Sequence, residues 1–224
     1  MGQDYSAKDR QRQALARKTN SRGSYDRVLI VCEGKKTEPH YLKEVKAKYR
    51  LATANVHVRH SEIGTAPKQV VQYAKDLFLT GDSHKAIEPR AFEKVYVVID
   101  RDDHSSYFEA LHQAQALDGK LRNEYKKNVA FKAIVSVPCF ELWLLLHFED
   151  VNTALHRIEV NARLKKHMPD YDKASMRLFE ETQIHLFEAM RRAASLKLLN
   201  NAYTPPQPFT NMDELVEVLM RLRG

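Results

Sequence analysis

Short apolar runs rich in β-branched residues alternate, over the first two thirds of the chain, with segments whose apolar residues recur every three or four positions. The apolar runs predict four strands, at residues 27–32, 56–58, 94–99 and 129–137. A helix is predicted after each strand, the last over residues 140–148. Because strands joined by helices generally run parallel, this alternation predicts an α/β fold with a mainly parallel, Rossmann-like sheet flanked by helices.

The pattern changes from residue 152 onward, where only helical spacing remains. A proline-rich segment over residues 204–208 interrupts this region before a last amphipathic stretch. We therefore expect a flexible basic arm over residues 1–24, an α/β core over residues 25–150 and a helical C-terminal portion over residues 151–224 that packs on the core.

Composition favours a folded, moderately basic protein. The 224 residues include 36 Lys and Arg against 29 Asp and Glu, which gives a formal net charge of +7, and the mean hydropathy is −0.53. No apolar run approaches the 18 residues of a membrane span, so no membrane insertion is expected. Cys32 and Cys139 lack the spacing of a zinc site, and the N-terminus lacks the apolar segment of a secretion signal, so we expect free thiols and a cytoplasmic protein.

The basic arm has two interpretations. Residues 1–22 contain six basic residues against two acidic ones, a net charge of +4. The basic residues are Lys8, Arg10, Arg12, Arg17, Lys18 and Arg22. Such a cluster either contacts the phosphate backbone of a nucleic acid or remains a solvated tail, and charge alone does not decide between the two.

Carboxylates follow two of the predicted strands. Glu33 comes directly after the first strand, and Asp100 and Asp102 follow the third. Because parallel strands end at the same edge of a sheet, these three side chains are expected to meet there. Clustered carboxylates repel one another unless a cation or proton neutralises them, and oxygen ligands suit Mg²⁺. The placement predicts metal-dependent phosphate chemistry.

Each of these residues also has a purely structural interpretation. The aspartates at positions 100–103 fit a loop that caps the following helix, and Glu33 fits a solvated turn beside Gly34. The joint placement of Glu33 with the aspartates at equivalent strand ends favours a functional site. His40, His104 and His147 are candidate helpers, although a helix-surface or partly buried structural histidine is the better interpretation for His40 and His147.

Two common hydrolase motifs are excluded. The residues at 33–37 superficially resemble the end of a nucleotide-binding P-loop, but Leu29 stands where that motif needs its first glycine. The chain also lacks the G-x-S-x-G elbow of a serine hydrolase.

Three motifs, V-C-E-G-K-K-T-E-P, V-V-I-D-R-D-D and P-C-F-E-L-W-L-L-L-H-F, resemble the RloB family. The resemblance runs from about residue 28 to residue 219 and includes the late segment Tyr171-Asp172-Lys173. It implies a Toprim-like fold, related to nuclease domains of the overcoming-lysogenization-defect type. It also implies a role in bacterial phage defence and restriction-linked loci, with a partner ATPase of the RloA or ABC-like class.

The resemblance implies roles for individual residues. Glu33 matches the Toprim glutamate, a general acid or base, while Asp100 and Asp102 match the aspartate pair that holds Mg²⁺, for which Mn²⁺ is a substitute. Asp103 and Glu141 are expected to complete a second metal site. Further residues are assigned to charge neutralisation or nucleic-acid contact: Lys35, Lys36, Arg101, Arg10, Arg12, Arg17, Lys18 and Arg22.

The sequence thus predicts a cytoplasmic, Mg²⁺-dependent Toprim-like nuclease that hydrolyses phosphodiester bonds in antiviral defence. The alternative is a non-catalytic subunit that binds nucleic acid or a partner protein and keeps the acidic edge as a regulatory metal site. Whether the substrate is DNA, tRNA or other RNA stays open, because a basic surface binds the phosphates of each.

Overall fold

The structure is a computed structural model, and it describes residues 26–52, 55–101 and 104–222. Within these ranges a five-stranded sheet forms in the order β2-β1-β3-β4-β5. The strands are β1 Val28–Cys32, β2 Val56–His60, β3 Lys94–Asp100, β4 Ala130–Val137 and β5 Phe209–Thr210. Strands β1 to β4 pair in parallel, and β5 pairs antiparallel with β4. The predicted α/β, Rossmann-like sheet is confirmed.

Helices follow each of the four parallel strands and then dominate the C-terminal portion. Those of the strand-helix alternation are α1 Thr37–Lys48, α2 Pro67–Thr80, α3 Tyr107–Leu117 and α4 Glu141–Leu145. Those of the C-terminal portion are α5 Arg157–His167, α6 Leu178–Thr182, α7 Leu186–Leu199 and α8 Met212–Arg221, and short 3-10 turns lie at Ser83–Lys85 and Gln183–His185. Across the residues described, none of these helices has the length and apolar character needed to cross a membrane.

Both faces of the sheet are buried, which explains why its strands read as continuous apolar runs. Along β1, Val28 and Ile30 belong to one apolar cluster, and Leu29 and Val31 belong to another. The second cluster contains the buried faces of α2 and α3, whereas the first contains those of α1, α4 and the C-terminal helices. The C-terminal helices therefore share a core with the sheet.

The prediction of helices only after residue 152 is wrong at β5. Thr210 pairs with Ser136 at the edge of β4, and their hydroxyl oxygens lie 3.1 Å apart. The Asn211 side chain extends the pairing, since its Oδ1 accepts a hydrogen bond from the Val135 N–H at 2.6 Å. A strand of two residues has no periodicity of its own, so only its partner strand defines it.

Candidate active site

Glu33 and Asp100 lie side by side at the carboxyl ends of β1 and β3. Cys32, the last residue of β1, is in register with Val98, and the Glu33 N–H donates to the Val98 carbonyl at 2.9 Å. The side chain of Glu33 turns back to the same strand, where its Oε2 accepts a hydrogen bond from the Asp100 N–H at 3.1 Å. The sheet itself thus sets the separation of the two acidic residues.

A cavity of about 300 Å³ opens at this edge, and four carboxylates line it. They are Glu33, Glu38, Asp100 and Glu141. Glu33, Glu38 and Glu141 are each less than one tenth exposed. The remaining lining includes basic and small residues: Gly34, Lys35, Lys36, Thr37, Thr65, Phe140 and Lys173. We call this space the acidic cavity.

Glu38 reaches the acidic cavity from the first turn of α1. Its Oε1 accepts a hydrogen bond from the Gly34 N–H at 3.2 Å, which folds the loop after β1 over the side chain. A Cβ atom at position 34 would overlap the Glu38 carboxylate. Glycine at position 34 thus allows the Glu38 carboxylate to approach the backbone closely, and the partial positive charge at the start of α1 favours an acidic side chain at this place.

Glu141 enters from the start of α4 and is held by the C-terminal portion of the chain. Its Oε1 accepts a hydrogen bond from the Tyr171 hydroxyl at 2.8 Å and lies 3.8 Å from the Lys173 Nζ. The Lys173 carbonyl in turn accepts a hydrogen bond from the Thr37 hydroxyl at 3.0 Å. The segment after α5 thus closes one side of the acidic cavity.

The carboxylates of the cavity destabilise one another's charged forms. Burial raises the pKa of Asp100 well above its ordinary value, and the negative charges of Glu38, Glu141 and Glu33 raise it further. Burial also raises the pKa of Glu38, as does the charge of Glu141. In addition, Asp100 Oδ1 is buried without a hydrogen-bond partner among the described residues. The site therefore has an excess of negative charge and an oxygen with unused acceptor capacity.

These residues fit a hard divalent cation such as Mg²⁺. The donors are all oxygens, and one of them, Asp100 Oδ1, has no hydrogen-bond partner within the described ranges. Among the described residues, no three His, Cys, Asp or Glu side chains form a group that could hold a metal ion by themselves. An ion such as Mg²⁺ usually keeps several water ligands and is bound through one or two carboxylates.

Five of the residues predicted for the site line the acidic cavity, seven lie outside the described residues, and Arg101 lies in a different space. Glu33, Asp100, Glu141, Lys35 and Lys36 all line the acidic cavity. Asp102 and Asp103 lie outside the described residues, as do the five arm residues assigned to nucleic acid, Arg10, Arg12, Arg17, Lys18 and Arg22.

Arg101 does not join the acidic cavity although it follows Asp100 directly. Its guanidinium carbon lies 5.2 Å from the ring centre of Tyr107 and 5.7 Å from that of Phe108, at the start of α3. Successive residues of a strand point to opposite faces, so the chain directs Asp100 and Arg101 into different spaces.

Sequence reasoning missed Glu38 and Lys173 as residues of the site. Both belong to segments that the family resemblance already contains, the motif after β1 and the Tyr171-Asp172-Lys173 segment. The family resemblance therefore identified both segments as part of the family motifs. The position of Lys173 beside Glu141, however, depends on a contact between distant parts of the chain.

The candidate histidines differ in environment. His104 Nε2 lies 3.5 Å from Glu33 Oε1, at the edge of the acidic cavity. His147 is buried, its Nδ1 is 2.9 Å from the Trp143 carbonyl oxygen, and burial lowers its pKa to about 4. His147 is therefore a neutral core residue, in agreement with the structural interpretation of its sequence position.

Comparison with known families gives one match. A family model described as RloB-like protein matches residues 28–219, from the first residue of β1 into α8. No curated protein and no solved structure matches the chain.

Proposed function

The chain belongs to the RloB-like protein family, and from that premise we propose that it is a Mg²⁺-dependent nuclease that hydrolyses phosphodiester bonds. The observation that carries the proposal is the convergence of four carboxylates on one cavity at the carboxyl ends of parallel strands. Open α/β sheets bind their ligands at this edge. Lysines at the rim of the same cavity supply the positive charge that a phosphate substrate needs.

The carboxylates of Asp100, Glu33, Glu38 and Glu141 are the residues of the described ranges that would hold the cation, and family resemblance adds Asp102 and Asp103. Bound there, Mg²⁺ supplies Lewis-acid stabilisation of negative charge on the phosphate.

Glu33 is the proposed proton acceptor for the attacking water. One of its oxygens is occupied by the Asp100 N–H, which fixes the orientation of the carboxylate. The other oxygen faces His104 at 3.5 Å, so a proton taken up by Glu33 has a nearby acceptor.

Lys35 and Lys36 are proposed to bind the phosphate oxygens. Both side chains are exposed at the mouth of the acidic cavity and precede α1. Their charges offset the negative charge that develops on the phosphate during hydrolysis. Lys173, which is half exposed and close to Glu141, adds a third positive charge on the opposite wall.

We further propose the biological setting that the family resemblance implies. The nuclease would act in antiviral defence on DNA or RNA, tRNA included, in the cytoplasm. An ATPase of the RloA or ABC-like class would control it, because this chain has no nucleotide-binding P-loop of its own.

Incubation of the full chain with supercoiled DNA, single-stranded DNA and total tRNA tests the proposal. Each substrate is offered with Mg²⁺, Mn²⁺ or a chelator, and with or without the candidate ATPase. We expect cleavage that requires the divalent ion and falls by at least about 100-fold in Glu33→Gln, the order of a general-base contribution. Glu109→Gln is the matched control, since it removes an exposed carboxylate on α3.

The same experiment separates the proposal from its alternative. If the chain binds Mn²⁺ and nucleic acid but cleaves none of these substrates in any combination, it is a non-catalytic subunit with a regulatory metal site. Cleavage by Glu33→Gln at the rate of the unaltered chain would remove Glu33 from the mechanism.

A further inference from the structure

A second cavity, of about 350 Å³, adjoins the acidic cavity at the same edge of the sheet. Of the nine described residues that line it, three are prolines and two are arginines. The residues that matter here are Arg101, Pro138, Leu155, Arg157, Pro205 and Pro206, and we call the space they line the proline cleft.

The ends of β3 and β4 form the boundary between the two spaces. On β3, Asp100 lines the acidic cavity and its neighbour Arg101 lines the proline cleft. After β4, Pro138 lines the proline cleft, and Phe140 lines the acidic cavity. Residues that are consecutive or two apart in the chain thus line the two spaces, and a strand of nucleic acid that enters both would cross the ends of β3 and β4.

The chemistry of the proline cleft matches a nucleotide. Its floor is apolar, and Arg101 and Arg157 contribute positively charged groups to its lining. A nucleobase offers flat apolar faces, and its phosphate is an anion. The volume is at the lower end of the range for small-ligand pockets and suits one nucleotide rather than a duplex.

Two partly exposed aromatic side chains, Phe108 and Tyr203, lie near residues of the proline cleft without lining it. The rings of Phe108 and Tyr203 stack at 6.3 Å with an interplanar angle of 16°, and both are more than one third exposed. Tyr203 lies on the same loop as the cleft residues Pro205 and Pro206, and Phe108 packs against the Arg101 guanidinium. Exposed aromatic faces next to cations are typical of single-strand binding surfaces.

We propose that the proline cleft holds one unpaired nucleotide of the strand that the acidic cavity cleaves. The face of a base is accessible only when the base is unstacked, so the substrate would be single-stranded nucleic acid or an unpaired loop. The inference rests on the proposed nuclease function, because it assigns the neighbouring nucleotide of the same substrate.

Binding in the absence of cleavage tests the inference. The full chain is titrated, in chelator, with a labelled single-stranded oligonucleotide and with the same oligonucleotide carrying abasic sites. Stacking of a base contributes about 1–3 kcal/mol, so the complete strand should bind about 5- to 150-fold more tightly than the abasic strand. Ala154→Phe fills the cleft from an exposed position and should abolish this difference while leaving the abasic affinity unchanged.

Matched variants keep the result interpretable. Ala194→Phe adds the same ring at an exposed position on α7, away from the cleft, and should keep the full difference between the two strands. Ala154→Leu replaces Ala154→Phe if the larger side chain lowers the melting temperature. Arg157→Ala should weaken binding of both strands and flatten the slope of log affinity against log salt by about 0.7.

Several outcomes would overturn the inference. The first is that the unaltered chain binds the complete and the abasic strand with equal affinity. The second is that the cleft-filling variants keep the difference in affinity between these two strands. The third is that these variants lose as much affinity for a duplex as for the complete single strand. The inference is also wrong if free adenosine monophosphate binds the cleft as tightly as the complete strand does, since the occupant would then be a free nucleotide.

The inference and the proposed nuclease can fail separately. Cleavage of single strands at an undiminished rate by Ala154→Phe would reject the cleft and retain the nuclease. A base-dependent affinity without any cleavage would reject the nuclease and retain the cleft as a nucleotide-binding site.

Discussion

The charged form of Asp100 is destabilised in the acidic cavity. Its carboxylate is desolvated and faces the charges of Glu38, Glu141 and Glu33, and its buried Oδ1 has no hydrogen-bond partner among the described residues. A cation would offset both costs, because it neutralises the charge and ligates the oxygen. Asp100 therefore lowers the stability of the metal-free protein, and a bound cation would remove this destabilisation.

The raised pKa of Asp100 predicts how stability depends on pH. Between the ordinary pKa of 3.8 and the raised native value, the native state binds more protons than the unfolded state. The free energy of unfolding of the metal-free protein should therefore fall as pH rises through this window. Asp100→Asn lacks this titration, so its stability relative to the unaltered chain should increase with pH, as measured by urea denaturation in chelator from pH 4 to pH 8.

The exposed Asp76 on α2 provides the control for this prediction. Asp76→Asn should follow the pH dependence of the unaltered chain. Added Mn²⁺ should stabilise the unaltered chain more than Asp100→Asn. Parallel stability curves for Asp100→Asn and the unaltered chain would contradict the assigned cost of the carboxylate.

The segment after α5 contributes to the acidic cavity without forming a helix or a strand. Tyr171 is buried and donates its hydroxyl to the Glu141 carboxylate, and Thr37 of α1 binds the backbone at Lys173. These bonds connect α1, α4 and the C-terminal portion at one place. A loop with such contacts acts as a structural wall of the site.

Tyr171→Phe should reveal the strength of this wall. The variant keeps the ring and removes the donor, which leaves one oxygen of a buried carboxylate without its hydrogen bond. We expect a loss of about 1–3 kcal/mol in the free energy of unfolding, measured by urea denaturation. Tyr125→Phe, which alters an exposed tyrosine, is the control and should change stability by less than about 0.5 kcal/mol. Equal effects in both variants would show that the Tyr171 hydroxyl contributes nothing.

Helix α7 has apolar residues on both sides, and packing buries only one of them. Leu186, Ala189, Ala193 and Leu196 face the core, whereas Leu198 is 87% exposed. The exposed side also includes Ile184 and Phe187, the first of which precedes the helix. Ile184 and Leu198 fit the helical spacing of apolar residues in this region, yet the fold leaves both in contact with solvent.

Two leucines of α7 give a matched pair for this difference. Leu196→Ala should lower the free energy of unfolding by about 2–5 kcal/mol, because it leaves a cavity in the core. Leu198→Ala should change it by less than about 0.5 kcal/mol. Urea denaturation of both variants under identical conditions measures the two changes. A large loss of unfolding free energy in Leu198→Ala would mean that this side of α7 is covered in the protein as it exists in solution.

At the scale of the whole molecule, the C-terminal helices complete a core that begins in the sheet. Buried residues of α5 and α8, such as Val160 and Leu215, belong to the same apolar cluster as Val28 and Ile30 of β1. The strand β5 then joins the edge of the sheet. The sheet and the C-terminal portion thus supply the acidic cavity together.

The basic arm is expected to contribute binding without chemistry. Deletion of residues 1–22 removes six basic side chains, while every residue of the acidic cavity is retained. Affinity for nucleic acid should fall, and the salt slope should flatten by about 0.7 per lost phosphate contact on single strands or about 0.9 on duplex DNA. Cleavage at saturating substrate should survive, as measured in single-turnover assays.

An unchanged salt slope after the deletion would identify the arm as a solvated tail. Loss of activity at saturating substrate would instead implicate the arm in ordering the site or engaging a partner. Substitution of the six basic residues by glutamine in the full chain separates the effect of charge from that of chain length.

The sequence by itself determined the four parallel strands, the helices between them and the meeting of Glu33 with Asp100. Apolar periodicity is a local property, and the parallel arrangement of helix-linked strands then places their ends at one edge. The family resemblance added Glu141, through the third motif. These elements depend on residues close in sequence or on a general rule of topology.

Only the tertiary structure decided the rest of the site. Thr37 and Lys173 are 136 residues apart, Tyr171 and Glu141 are 30 apart, and Ser136 and Thr210 are 74 apart. Contacts at such separations depend on how the C-terminal helices pack on the sheet, which no local pattern encodes. The same packing buries Leu196 but exposes Leu198, since burial is a property of the assembled core.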